Sequence, residues 1–303
     1  MPNRYRFITA DVFSERMFGG NQLAVFTDGR GLDAETMQTI AREMNLSETV
    51  FVLPAETARG TRRLRIFTPG KELPFAGHPT VGSAIVLTAI GDVPLDGELT
   101  RIVFEEGVGP VEVMVRAEVG RPVFAQLSAA KLPEFGPPPP SAEIIASVLS
   151  INASDIESGA RAPQAVSCGV PFLFVTVRDL DALARVRVNS EPWERHIASY
   201  WATDIYVITH DAGDADIRAR MFAPDMGIAE DPATGGAATA LAGYILPSSP
   251  EDGVLRWTIH QGVEMGRPSV IFLEADVAAG AITAIRVGGA SVLVSEGTLT
   301  LPG

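Results

Sequence analysis

Residues 78–84 read HPTVGSA and residues 231–237 read DPATGGA, each a Pro followed by small residues at the head of an apolar run. The first continues as IVLTAI and the second as ATALAGYIL. Pro is favoured as the first residue of a helix, where its missing N–H costs nothing and its fixed φ suits initiation. Pro79 and Pro232 therefore mark two expected helix starts. Neither run has a polar face, and a helix apolar all round belongs inside a core. Each is expected to be the central helix of a domain, wrapped by a sheet. Gly82, Ser83, Gly235 and Gly236 are poor helix formers but let strands come close, which suits an enclosed helix.

Three more matched pairs lie upstream of these runs. GNQLAVF at 20–26 faces GVPFLFV at 169–175, ETVFVL at 48–53 faces TDIYVI at 203–208, and RIFTPG at 65–70 faces RMFAPD at 220–225. In chain order the four offsets are 149, 155, 155 and 153 residues, nearly one register across half the chain. A fixed period of this kind marks a duplicated structural unit. Segments rich in β-branched and aromatic residues, such as RRLRIFT, VEVMV and SVIFLEA, read as strands. Asp33–Glu43, Ala142–Leu149 and Asp179–Val186 read as the few additional helices. The expected class is α+β, with two pseudo-symmetric domains, each a curled, mostly antiparallel sheet around a central apolar helix. LPEFGPPPPS at 132–141 excludes a helix or central strand and reads as the spacer between them. The expected N-terminal domain is 1–131 plus about 290–303, and the C-terminal domain is 132–289. A cleft between such domains is the natural place for a site.

Composition narrows the function. The 303 residues hold 37 Asp and Glu against 24 Lys and Arg, a net charge of -13, and no basic stripe that would neutralise a phosphate backbone. Nucleic acid is not an expected partner. The single Cys, Cys168, allows no intrachain disulfide and no Cys-based zinc cluster, which suits a reducing cytoplasm. The start MPNRYRFITADVFS lacks a signal-peptide core, and no window approaches the roughly 20 apolar residues of a membrane helix. His78, His196, His210 and His260 have no metal-ligand spacing, so no metal site is expected.

The start of a buried helix leaves backbone N–H groups without intrahelical partners and carries a partial positive charge. Two such starts could hold a substrate carboxylate. Asp231 reads equally as an N-cap or as a catalytic acid, whereas His78, at the matching place, is not a favoured cap. A His and an Asp at related helix starts make a plausible acid/base pair. Spacing alone reads Glu48, in NLSETVFV, as a solvated carboxylate, and Cys168 as a small buried thiol rather than a nucleophile.

The segments DVFSERMFGGNQLAVF, MNLSETVFV, RIFTPGKELPFAGHPTVGSA, MFAPDMGIAEDPATGGAA and HQGVEMGRPS together resemble the PhzF-like phenazine-biosynthesis isomerase family, which shares the diaminopimelate epimerase fold. The resemblance spans most of the chain in the expected order. It implies a cofactor-independent isomerase that moves a proton on a small carboxylate-bearing, possibly cyclic, substrate, with no metal or organic cofactor and as a homodimer. It implies Glu48 as the proton-transferring acid/base, with His78 and Asp231 assisting. Asn21 and the backbone around Gly77, Gly235 and Gly236 are then expected to bind substrate. In one respect the sequence departs from the pattern: Gly236 stands where the phenazine enzyme carries Ser. Two other readings stay open, an amino-acid racemase or epimerase and a non-catalytic small-molecule binder. The two-Cys version of the first is disfavoured by the single Cys.

Overall fold

The computed structural model describes residues 3–246 and 251–301. The chain divides into two compact units, Met1–Ala130 with Gly288–Gly303, and Lys131–Val287. In chain order the first unit holds β1 (Asn3–Val12), β2 (Asn21–Phe26), α1 (Ala34–Met44), β3 (Glu48–Leu53), β4 (Arg62–Phe67) and β5 (Glu72–Leu73). It continues with α2 (Gly77–Ala89), β6 (Leu99–Glu106), β7 (Gly109–Glu118) and β8 (Arg121–Ser128). The second unit begins with β9 (Glu134–Phe135), α3 (Ala142–Leu149), β10 (Gln164–Ser167), β11 (Pro171–Thr176), α4 (Leu180–Arg185) and α5 (Ser190–His196). After these come β12 (Asp204–Thr209), β13 (Ile217–Ala223), β14 (Ile228–Asp231), α6 (Gly235–Ile245), β15 (Gly253–Gln261), β16 (Ser269–Ala278) and β17 (Ala281–Gly289). The last strand, β18 (Ser291–Leu301), returns to the first unit and pairs antiparallel with β1.

The strand pairings repeat from one unit to the next. In the first unit β2 runs parallel to β3, β3 antiparallel to β4, β4 antiparallel to β5 and parallel to β6, and β6 antiparallel to β7. In the second, β11 runs parallel to β12, β12 antiparallel to β13, β13 antiparallel to β14 and parallel to β15, and β15 antiparallel to β16. The class is α+β, as the sequence led us to expect, with a mostly antiparallel sheet around an apolar helix in each unit.

Burial explains why α2 and α6 read as featureless. Every residue of α2 from Gly77 to Thr88 is buried, and the helix packs against β1, β2, β3, β7, β8 and β18. Near its end Thr88 bonds back to the helix itself: Thr88 Oγ1 donates to the Ala84 carbonyl at 2.7 Å. A Cβ on Gly82 would lie 2.5 Å from Val12 Cγ2 and 2.6 Å from Leu23 Cδ2, so this approach to β1 and β2 admits only glycine. In the second unit α6 packs against β10, β11 and β16. By contrast α1 is amphipathic: Met37, Ile40 and Ala41 cover Phe26, Phe51 and Phe67. Asp33 caps its start by accepting from the Thr36 N–H at 2.8 Å, and Asn45 ends it in the left-handed region.

Two sequence expectations change here. The proline segment is built into the second unit instead of spanning open space. β9 lies within it and pairs with β10, and the Tyr200 hydroxyl donates to the Pro137 carbonyl at 2.6 Å. The prolines also do not start their helices. Pro79 is the third residue of α2, behind the extended N-cap Ala76, and Pro232 lies three residues before α6, whose N-cap is Thr234. Among the described residues no helix is long and apolar enough to cross a membrane.

Candidate active site

In the first unit three of the expected residues meet. Asn21 is the first residue of β2, Glu48 the first of β3, and His78 the second of α2. The parallel pairing that sets Leu23 opposite Glu48 brings the heads of β2 and β3 together. Asn21 Nδ2 lies 3.2 Å from His78 Nδ1, and His78 Nε2 lies 3.2 Å from Glu48 Oε2. All three side chains are buried. Glu48 is therefore no solvated carboxylate, which is how its spacing alone read. Gly77 stands beside His78 as the first residue of α2, where helix geometry leaves its N–H without an intrahelical partner.

Burial pushes the His78 imidazole down to about 3, and a hydrogen bond with the Gln22 backbone works weakly the other way. The ring is thus neutral near pH 7, with one nitrogen donating and the other accepting. When Nδ1 accepts from Asn21, Nε2–H faces a Glu48 carboxylate. In the other tautomer Nε2 is the acceptor and can face a Glu48 carboxylic acid, provided Asn21 turns its amide oxygen toward Nδ1–H. One neutral ring can therefore accompany Glu48 in either protonation state.

The second unit holds a separate constellation around Asp231, the last residue of β14. Asp231 does not cap α6. Its Oδ2 accepts from Thr234 Oγ1 at 2.5 Å, so the Thr234 side chain is turned toward Asp231. Gln261, wholly buried at the end of β15, fastens the turn: its Nε2 donates to the Asp231 carbonyl at 2.7 Å and to Thr234 Oγ1 at 3.0 Å. Its Oε1 accepts from the Thr234 N–H at 3.2 Å and from the Tyr206 hydroxyl at 3.0 Å. Burial and the Asp231 charge both push the Tyr206 hydroxyl upward, so it stays a donor. Gly235 and Gly236 follow as the first two residues of α6, their N–H groups without intrahelical acceptors.

Gln261, Tyr206 and Thr234 escaped the reading of the sequence. Gln261 lies in the motif HQGVEMGRPS and closes β15, a strand of mixed polarity and mostly exposed or half-buried positions, so nothing in the pattern of the sequence marks it as buried. Cys168 is half-buried, and burial pushes its thiol up to about 12, which leaves no thiolate for nucleophilic work.

Comparison with known proteins shows the family of the chain. The family model described as "Phenazine biosynthesis-like protein" matches residues 10–297. An uncharacterized isomerase of Mesorhizobium japonicum is 40% identical over 299 residues, covering 97% of this chain and 98% of that protein. The trans-2,3-dihydro-3-hydroxyanthranilate isomerase of Pseudomonas chlororaphis is 34% identical over 298 residues, covering 98% of this chain and 100% of the relative. Among solved structures, a PhzF-family phenazine biosynthesis protein of Bacillus anthracis superposes with a TM-score of 0.88 at 24% identity, covering 98% and 99% of the two chains. A duplicated fold with a neutral His beside a buried Glu, relatives named as isomerases and a match over nearly the whole length lead to one conclusion: this chain belongs to the phenazine biosynthesis-like family of isomerases.

Proposed function

We propose that the protein isomerises a small cyclic carboxylate by moving a proton between carbons, with Glu48 as the group that takes the proton and returns it. The observation that carries this reading is the buried Glu48 carboxyl 3.2 Å from the Nε2 of a neutral His78. A carbon-bound proton leaves slowly unless a base is held within reach and kept basic. A cationic partner would stabilise the carboxylate and weaken it as a base, whereas a neutral imidazole orients it without supplying charge. Asn21 holds the far side of the ring and is assigned to positioning and substrate binding. In the second unit the same reading gives Asp231 a proton-handling role, with Thr234 as its donor. The N–H groups of Gly77 in the first unit, and of Gly235 and Gly236 in the second, are each assigned to substrate binding, an anionic group being the usual ligand of a helix start.

The substrate class is supported by a relative that is 34% identical and named trans-2,3-dihydro-3-hydroxyanthranilate isomerase. The single Cys supports work in a reducing cytoplasm, and the family resemblance supports a homodimer. The test is incubation with trans-2,3-dihydro-3-hydroxyanthranilate and related cyclic carboxylates in deuterium oxide. Deuterium enters carbon positions of the true substrate in the native protein and not in Glu48→Gln. Exchange that survives in Glu48→Gln removes Glu48 from the role.

A further inference from the structure

Glu106 ends β6 and is buried, yet no salt bridge from the described residues reaches it. Its Oε1 lies 2.7 Å from Thr80 Oγ1, in the first turns of α2, and its Oε2 has no hydrogen-bond partner. Thr80 Oγ1 also lies 2.8 Å from the Ala76 carbonyl. A hydroxyl carries a single hydrogen, so Thr80 cannot donate to both oxygens. Both short contacts are satisfied together only when Glu106 is the neutral acid: its O–H donates to Thr80 Oγ1, and Thr80 donates to the Ala76 carbonyl. The neutral form also leaves only a carbonyl oxygen orphaned, which costs far less than an orphaned charge.

This chain of bonds ends where α2 begins. Ala76 is the helix N-cap and has no side-chain cap of its own. The residues after Glu106 grip the same turn, because the Val108 N–H donates to the Pro74 carbonyl at 3.1 Å. A Cβ on Gly107 would sit 2.8 Å from Pro74 Cα. His78 lies between Ala76 and Thr80, so whatever fixes these two fixes the imidazole that faces Glu48.

We propose that Glu106 is a positioning residue, a carboxylic acid held protonated beneath the start of α2, whose hydrogen-bond chain through Thr80 to Ala76 sets His78 against Glu48. The assignment rests on the reading of Glu48 and His78 given above. Burial pushes the Glu106 carboxyl up to about 8, with the Thr80 hydrogen bond opposing. Loss of its proton breaks the chain and leaves a bare charge under the helix. The charged groups around it are otherwise engaged. Arg65 of β4 pairs with Glu72 of β5, Arg63 of β4 with Glu56, and Arg101 of β6 with Glu112 of β7. Glu105 takes the N–H groups of Glu56 and Thr57, Arg59 is exposed, and His78 is the titratable group on α2.

The experiment follows His78 directly and needs no substrate. In protein carrying 15N-histidine, the His78 ring resonances of the native chain should step with a midpoint near the value of about 8 as pH rises, and the step should be absent in Glu106→Gln. Constant His78 resonances across that range, or the same step in Glu106→Gln, overturn the proposal. With trans-2,3-dihydro-3-hydroxyanthranilate as probe, Glu106→Leu should lower kcat on the order of 10²-fold, the scale of a misplaced catalytic group. Glu106→Gln, whose amide can donate to Thr80, should recover most of the loss and extend activity to higher pH; equal losses in both variants also overturn it. If the native protein turns over no probe, the functional reading fails while the resonance titration still decides the role of Glu106.

Discussion

Glu48 Oε2 lies 3.2 Å from His78 Nε2, and burial keeps the imidazole without a charge. A Glu–His contact at this distance is ordinarily an ion pair. Here it joins a neutral ring to the group proposed above to take and return the proton, and that sets the first prediction. Glu48→Gln keeps size and hydrogen bonding but cannot accept a proton. Turnover should fall by about 10²–10⁴-fold, the range for loss of a general acid or base. Melting temperature and ligand binding should be little changed, and steady-state kinetics with calorimetry on the same preparation separates the two.

Two buried groups give stability a pH profile with a flat top. His78 drops from 6.5 to about 3 on folding, so between those values the unfolded chain binds a proton that the folded one refuses. Stability from this group is complete above 6.5 and is lost as pH falls, by about 1.4 kcal/mol per pH unit at most. Glu106 rises from 4.5 to about 8, so the folded state holds the extra proton, and stability is lost as pH rises through that window at the same limiting slope. Between 4.5 and 6.5 the two slopes oppose each other. Denaturant melts across pH should show Glu106→Gln flattening the alkaline arm and His78→Asn flattening the acid arm.

Gly236 is open to the hydroxyl that the phenazine enzyme carries at this place. A Cβ there would meet only the Phe172 ring, at 3.7 Å, which is ordinary contact. Gly236→Ser should therefore fold normally and melt no lower, since a helix gains when Gly is replaced. Its turnover of trans-2,3-dihydro-3-hydroxyanthranilate should rise relative to the native chain. A rise in melting temperature without any gain in kcat/KM would show that the missing hydroxyl does not set substrate preference.

Gln261 binds three residues in and around the turn before α6. Gln261→Leu keeps the volume but strips partners from the Tyr206 hydroxyl, the Thr234 N–H and the Asp231 carbonyl in a buried setting. Each orphaned group costs about 1–3 kcal/mol, so the variant should lose several kcal/mol in urea unfolding. Gln261→Glu, still able to accept from Tyr206 and Thr234 but placing a carboxylate by the Asp231 carbonyl, should lose less at low pH than at neutral pH.

Much of the fold was legible because it depends on local pattern and on duplication. Both apolar helices, the α1, α3 and α4 segments and most central strands show their type in composition and periodicity. The repeat of strand pairings follows from four sequence matches held in nearly one register. What stayed hidden has identifiable causes. Pro192 sits inside SEPWERH and masks α5, although Asn189 caps it. No residue of β18 is fully buried, and its first four positions are all half-buried, so the alternation begins only in the second half of the strand.

By itself the sequence determined that there are two apolar helices and that each follows a Pro-containing small-residue motif; its pattern pointed to His78 and Asp231, and only the family resemblance added Glu48. Only the tertiary structure decided what those motifs do. It placed His78 inside its helix and Asp231 ahead of the other, although the motifs align, because Ala76 leads straight into α2 while Pro232 to Thr234 precede α6. Burial, which no single position announces, removed the charge from His78 and turned Glu48 from a surface carboxylate into a buried one beside a neutral ring. Protonation states follow from the groups that surround a side chain in space, and those groups come from β2, β3, β6 and α2, segments far apart along the chain.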